Sequence, residues 1–217
     1  MTRRIVVVSA GLSDPSSTRL LADLLAKATA SALSMVEPVD PSAGAWTGQP
    51  VEIETVELRP LAHALADQLL TGFATGELAD AEAAVAQADA VIAVTPVFSA
   101  SYSGLFKTFF DVLEPGALEG TPVLVAATAG TARHSLVLEH ALRPLFSYLH
   151  AVVVPTGVFA ASEDWGSTGA DAGLTARIER AAAELAALVA ARPAVERRDQ
   201  FDRDVAAMGD FEQLLNG

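Results

Sequence analysis

Two clusters of hydroxyls and aromatic rings stand directly behind apolar runs. Thr95-Pro96-Val97-Phe98-Ser99-Ala100-Ser101-Tyr102-Ser103-Gly104-Leu105-Phe106-Lys107 follows the run Ala90 to Val94. Backbone N–H groups in such a turn are free to bind something flat, polar or anionic. Pro96, Phe98 and Tyr102 offer a flat apolar wall to one face of a planar ring, and Gly104 lets a helix start tightly against it; the plainer alternative has Phe98 packed inward and Tyr102 on the surface. Ser9-Ala10-Gly11-Leu12-Ser13-Asp14-Pro15-Ser16-Ser17-Thr18-Arg19 follows the run Ile5 to Val8. Hydroxyls and N–H groups at a helix start make a phosphate cradle, and Arg19 would add one charge-assisted contact. A plainer role for Ser16 or Ser17 is to cap the helix. A third loop, Ala127-Thr128-Ala129-Gly130-Thr131-Ala132-Arg133-His134, is nearly free of bulk, so a ligand can approach its backbone. His134 would either touch a ring carbonyl or a second substrate, or stand solvated at a helix start.

Other chemistries lack their residues. The histidines, at 63, 134, 140 and 150, show no HExxH spacing or carboxylate partner, so no metal site is expected. There is no cysteine to act as a nucleophile. Ser103-Gly104 lacks the first glycine of a GxSxG elbow. Gly11 stands alone, so the first loop is neither a P-loop nor a GxGxxG fingerprint. Lys107 and Asp111 sit one helical turn apart, the spacing of an ordinary exposed pair. No paired catalytic carboxylates stand out. A phosphate loop and a ring platform without an acid/base set point to chemistry carried by a bound cofactor, with no catalytic side chain.

The elements that must position these loops alternate in type. Arg4 to Val8 reads as a central parallel strand and Thr18 to Leu33 as a helix. Val51 to Val56 alternates apolar and acidic, as an edge strand does. Pro60 to Leu70 and Glu77 to Ala86 are short helices. Ala90 to Thr95 and Pro122 to Thr128 are further strands. Ser135 to Leu149 is helical with a break at Pro144. Ala151 to Pro155 is the fifth strand, Phe159 to Gly173 a polar loop containing Trp165, and Leu174 to Ala191 an Ala-rich helix. This alternation implies an α/β flavodoxin-like doubly wound five-stranded parallel sheet of order 2-1-3-4-5. In that order the loops after the first and third strands face each other across one crevice.

The 217 residues suit one domain, 1–192, with a tail at 193–217. Phe201, Val205, Met208, Phe211 and Leu214-Leu215 recur at helical spacing. They predict an amphipathic helix that docks on its own or a partner subunit. The net charge of −13 disfavours nucleic acid and repels anionic ligands at long range. An anionic cofactor must then be held by local N–H donors and a few placed cations. No run is long enough to span a bilayer, and the absence of cysteine fits a cytoplasmic setting.

Together these residues resemble the NAD(P)H-dependent FMN reductases of the flavodoxin-like superfamily. The likeness covers about Arg3 to Ala190 and rests on Ser9 with Ser16-Ser17-Thr18-Arg19, on Thr95 to Lys107 with Asp111, and on Thr128-Ala129-Gly130-Thr131. The second resembles the signature T/S-P-x-Y-x-x-S-x-x-G-x-L-K…D. The chain departs from the pattern at Phe98, where the family often has Tyr, at Ala129, where it often has Gly, and at Ser103, where it often has Pro. Arg133-His134-Ser135 and Leu142 to Phe146 look closest to the actinobacterial branch thought to serve flavin-dependent monooxygenases. The resemblance implies a homodimer. FMN would have its phosphate in the Ser9 to Arg19 loop, its ring on Pro96, Val97, Phe98, Ser99, Tyr102, Ser103 and Gly104, and its pyrimidine end near Gly130. NADPH or NADH would stack above. A quinone or azo-type reductase, a flavodoxin-type electron carrier and a module without cofactor are the alternatives; the first loop lacks the T-x-T-G-x-T pattern of the carriers.

Overall fold

Ile5 to Val8 have no polar side chain between them because the strand they form is covered on both sides. Ile5 and Val7 enter one core, Val6 and Val8 the other, as the two-residue period of a strand dictates. The computed structural model describes residues 2–35, 50–166 and 169–195. Its sheet contains β1 (Arg3–Ser9), β2 (Val51–Glu57), β3 (Ala90–Phe98), β4 (Ser101–Tyr102), β5 (Pro122–Ala129), β6 (Val152–Val153) and β7 (Val158–Ala161). A small hairpin, β8 (Trp165–Gly166) with β9 (Gly169–Ala170), stands apart. The parallel order is β2-β1-β3-β5, followed by β6 and β7, which both pair with β5. This is the expected 2-1-3-4-5 order, with the fifth strand in two pieces.

Helices cover both faces. α1 (Ser17–Met35) and α6 (Ala172–Ala190) pack on Ile5, Val7, Ile92 and Leu124. α2 (Ala62–Thr71), α3 (Glu77–Ala86), α4 (Gly104–Val112) and α5 (Arg143–Tyr148) lie on the side of Val6, Val8, Val91 and Val123. That second core is aromatic. Phe110 stacks against Phe106 at 4.7 Å and Phe146 at 4.9 Å between ring centroids.

The fifth strand departs from expectation. Residues Val158–Ala161 form a buried strand where a polar loop from Phe159 is expected. The strand is interrupted at Pro155, which has no N–H for a ladder, and at Gly157. A Cβ at Gly157 would stand 3.2 Å from Leu138 Cδ1. Side chains complete the broken ladder. Arg143 donates to the Val154 and Pro155 carbonyls at 3.1 and 3.0 Å. Both Glu184 carboxylate oxygens accept from Thr156, one from its N–H and one from its hydroxyl, each at 2.7 Å. The helix expected from Ser135 begins instead as a turn at Ala132–His134 and a wide π-turn at Leu138–Leu142; Pro144 then sits in the first turn of α5. The tail helix expected at Phe201 to Leu215 lies outside the described residues.

At the amino ends of the strands, the buried Asp89 carboxylate gathers the chain. It accepts from Arg3 Nη1 at 2.9 Å, from the Arg4 N–H at 2.8 Å and from the Val195 N–H at 3.1 Å. Removing one member of a buried ion pair strands the other, at a cost of about 3–5 kcal/mol. Asp89→Ala therefore lowers the unfolding free energy by about that amount. Urea denaturation followed by circular dichroism measures it; a loss below about 1 kcal/mol refutes the central place given to this carboxylate.

Candidate functional site

At the opposite pole, the carboxyl ends of β1, β3, β5 and β7 surround a cleft of about 450 Å³. That volume is within the range of small-molecule sites. Ser16, Ser17 and Thr18 line it from the start of α1, Pro96, Val97 and Phe98 from the end of β3, and Thr128, Ala129 and Gly130 from the end of β5. The three loops singled out in the sequence thus meet at the switch point that the strand order creates.

The first wall is a neutral donor set. Ser16 Oγ accepts from the Arg19 N–H at 3.2 Å, so Ser16 caps α1 while also facing the cleft. The N–H groups of the first helical turn have no intrahelical acceptor and point outward with the positive end of the helix dipole. Thr18 Oγ1 lies 2.8 Å from Thr128 Oγ1, joining the start of α1 to the end of β5 across β3. Gly11 makes this packing possible: a Cβ there would fall 2.1 Å from Ser16 Oγ and 3.3 Å from Thr18 Cβ.

The second wall is a hairpin. β3 and β4 pair through Val97 with Tyr102 and Phe98 with Ser101, leaving Ser99 and Ala100 as a two-residue turn. Both have positive φ, 48° and 67°, in a region that strains a residue with a Cβ. The turn holds the Phe98 side chain outward, 47% exposed, on the cleft. Below it, buried Thr95 Oγ1 donates to the Pro96 carbonyl at 2.9 Å and accepts from the Ser103 N–H at 3.0 Å. The third loop is the least encumbered: a Cβ on Gly130 would meet nothing within 4 Å.

Other expected residues take different places. Ser9 is buried at the end of β1, where its carbonyl accepts from the Leu58 N–H at 3.0 Å. Tyr102 packs against the core, its ring 5.9 Å from Phe106, and does not line the cleft. Ser103 is buried and caps α4 by accepting from the Phe106 N–H at 3.2 Å. Ser99 sits in the strained turn, and Thr131 caps the turn that carries the exposed His134. Gly104 is exposed, and a Cβ there would meet nothing within 4 Å, so tight packing is not what this position requires. Arg19 faces a neighbouring cavity with Arg59 and His63. It is engaged by Asp23 at 2.8 Å and by Glu57. The hydrogen bond to Asp23, with the field of both carboxylates, holds its guanidinium above the ordinary value. Lys107 and Asp111 form an exposed pair on α4.

Two lining residues escaped the sequence reading: Ser162 and Trp165, beyond the end of β7. A lone tryptophan in a polar stretch after the last strand was the available signal. Its weight depended on knowing that the strand ended at Ala161. Among the described residues there is no cluster of histidines and carboxylates fit to hold a metal, and no helix is long and apolar enough to cross a membrane.

The chain is similar to known proteins. A family model described as NADPH-dependent FMN reductase matches residues 3–166. An FMN reductase (NADPH) of Pseudomonas aeruginosa is 36% identical over 190 residues, 87% of this chain and 94% of that one. The NADH-dependent FMN reductase SfnE of Pseudomonas putida is 37% identical over 195 residues, 89% of this chain and 96% of that one. A solved oxidoreductase from Corynebacterium diphtheriae superposes with a TM-score of 0.79 at 47% identity, covering 88% of this chain and 99% of its own. The chain belongs to the NADPH-dependent FMN reductase family and is an NAD(P)H:flavin oxidoreductase.

Proposed function

We propose that the cleft seats FMN with its phosphate at the start of α1 and its ring between Phe98 and the Thr128–Gly130 strip. The observation that carries this reading is convergence: a hydroxyl and N–H cradle, an outward-held aromatic ring and a strip free of side-chain bulk line one cavity. Each suits one part of FMN in turn: a dianion, a flat heterocycle, and a polar ring edge that needs close backbone approach. When bound, FMN supplies the hydride-accepting chemistry.

The side chains bind and orient. The N–H groups at the start of α1, with the exposed Ser17 hydroxyl, hold the phosphate through neutral donors and the helix dipole, and the Thr18–Thr128 contact positions them. Arg19 has no part in this cradle, because its charge is already matched by Asp23 and Glu57. Phe98 and Pro96 support one face of the ring and keep water from it, leaving the other face for the dinucleotide. Hydride transfer between two rings needs them at near-attack distance and needs no protein acid or base. We extend the proposal to a homodimer, to a cytoplasmic setting and to delivery of reduced flavin to a flavin-dependent monooxygenase. Exposed Leu69, Leu70 and Phe73 at the end of α2 support the homodimer, and the absence of cysteine supports the setting.

Replacing Ser17, which is exposed at the start of α1, with Ala weakens FMN by about fivefold or more, while riboflavin, which lacks the phosphate, changes less than about twofold. Titration of flavin fluorescence with each ligand measures this; equal losses for the two flavins refute the phosphate assignment. Gly11→Ala drives a methyl group into Ser16 and displaces the cradle. It raises the FMN dissociation constant by at least about tenfold, with a stability loss near the 1 kcal/mol of a lost helix cap. Wild-type FMN affinity in this variant would show that the cradle tolerates displacement.

A further inference from the structure

We propose that Trp165 touches the bound flavin as the far wall of the cleft, and that a latch between Asp164 and Arg177 sets how long the flavin stays. This rests on the flavin reading above. β5 runs between β3 and β7, so the Thr128–Gly130 strip lies between what leaves β3 and what leaves β7. Phe98 is the last residue of β3. Trp165 follows β7 by one short turn and lines the same cleft. A flat ligand over Gly130 with one face on Phe98 therefore meets Trp165 at an edge, which leaves its second face to the dinucleotide. Trp165 is half-buried, packed in part against the core that α1 and α6 share, so its ring has a fixed backing as well as a free face.

The turn that carries it is fastened at several points. Asp164 Oδ2 accepts from the Ala161 N–H at 2.7 Å, and Oδ1 accepts from Arg177 Nη2 on α6, also at 2.7 Å. The Asp164 carbonyl accepts from the Asp171 N–H at 2.9 Å, closing the base of the β8–β9 hairpin. Of these ties, the Asp164–Arg177 pair is the one made between two side chains and partly open to solvent. It is the tie that can open without unfolding a helix or strand. Arg177 does not line the cleft, so it acts on the flavin through the placement of Trp165 and is a positioning residue.

The test uses the full chain carrying Trp46→Phe, which leaves Trp165 as the sole tryptophan. FMN quenches the Trp165 emission on binding. Trp165→Ala speeds FMN release about tenfold in stopped-flow measurements while association changes little, and Trp165→Phe restores release to within about threefold of wild type. Arg177→Gln also speeds release, with Trp165 emission shifted toward that of a solvated indole before any flavin is added. A flavin that binds without altering Trp165 emission, or an unchanged release rate in Trp165→Ala, overturns the inference and leaves the flavin reading intact. An unchanged release rate in Arg177→Gln overturns the latch. Failure of the unsubstituted chain to bind FMN overturns both readings together. The quenching measurement leaves every described residue of the cleft unchanged, so an unaltered Trp165 emission overturns the inference even if Trp165→Ala does not fold.

Discussion

The contact between Thr18 and Thr128 is the point on which the cleft turns. One hydroxyl stands at the start of α1 and the other at the end of β5, β3 lies between β1 and β5 in the sheet, and both hydroxyls are buried. One hydroxyl donates and the other accepts, so each oxygen has a partner inside the fold. The contact fixes where α1 begins relative to the end of β5. It therefore fixes how far the cradle stands from the strip that ends at Gly130. Gly11 belongs to the same constraint, because only a residue without Cβ leaves room for Ser16 and Thr18 in these positions.

The charge distribution explains why the cradle is built from neutral groups. A chain of net charge −13 pushes an approaching dianion away, and Arg19, the cation nearest the cradle in sequence, is committed to two carboxylates. Local N–H groups and hydroxyls act over a few ångströms and escape this opposition, since screening confines the overall field to about 10 Å at ordinary salt. In the flavin placement proposed above, selectivity for a phosphate then resides in geometry, not in an excess of positive charge.

Much of this was legible in the sequence, and the parts that were not have physical causes. The β-branched run Ile5 to Val8 and the run Ala90 to Val94 could only be strands buried on both faces, and the alternation of elements fixed the order of the sheet. The hydroxyl-rich and small-residue loops announced three walls of the cleft. The two-piece fifth strand was hidden because Pro155 and Gly157 read as a terminus. Their missing ladder bonds are supplied by Arg143 and Glu184, one from α5 and one from α6, and no local pattern reveals such distant partners. Ending the strand too soon put Phe159 in a loop and concealed the place of Trp165. Tyr102 illustrates the opposite case: it sits in the right segment, but the two-residue turn at Ser99 and Ala100 decides which ring faces the ligand and which joins the core.

The Asp89 node has a geometric corollary. Because Arg3 and Val195 reach the same carboxylate, the first strand and the segment after the last described helix converge at the pole of the sheet farthest from the cleft. A linker, a fused partner or a solid support joined ahead of Arg3 is held there too, and the edge that carries the cleft faces away from it. The same convergence lets a short bridge join Val195 to Arg3 in a circularly permuted chain that stops at residue 195, because both already reach one carboxylate.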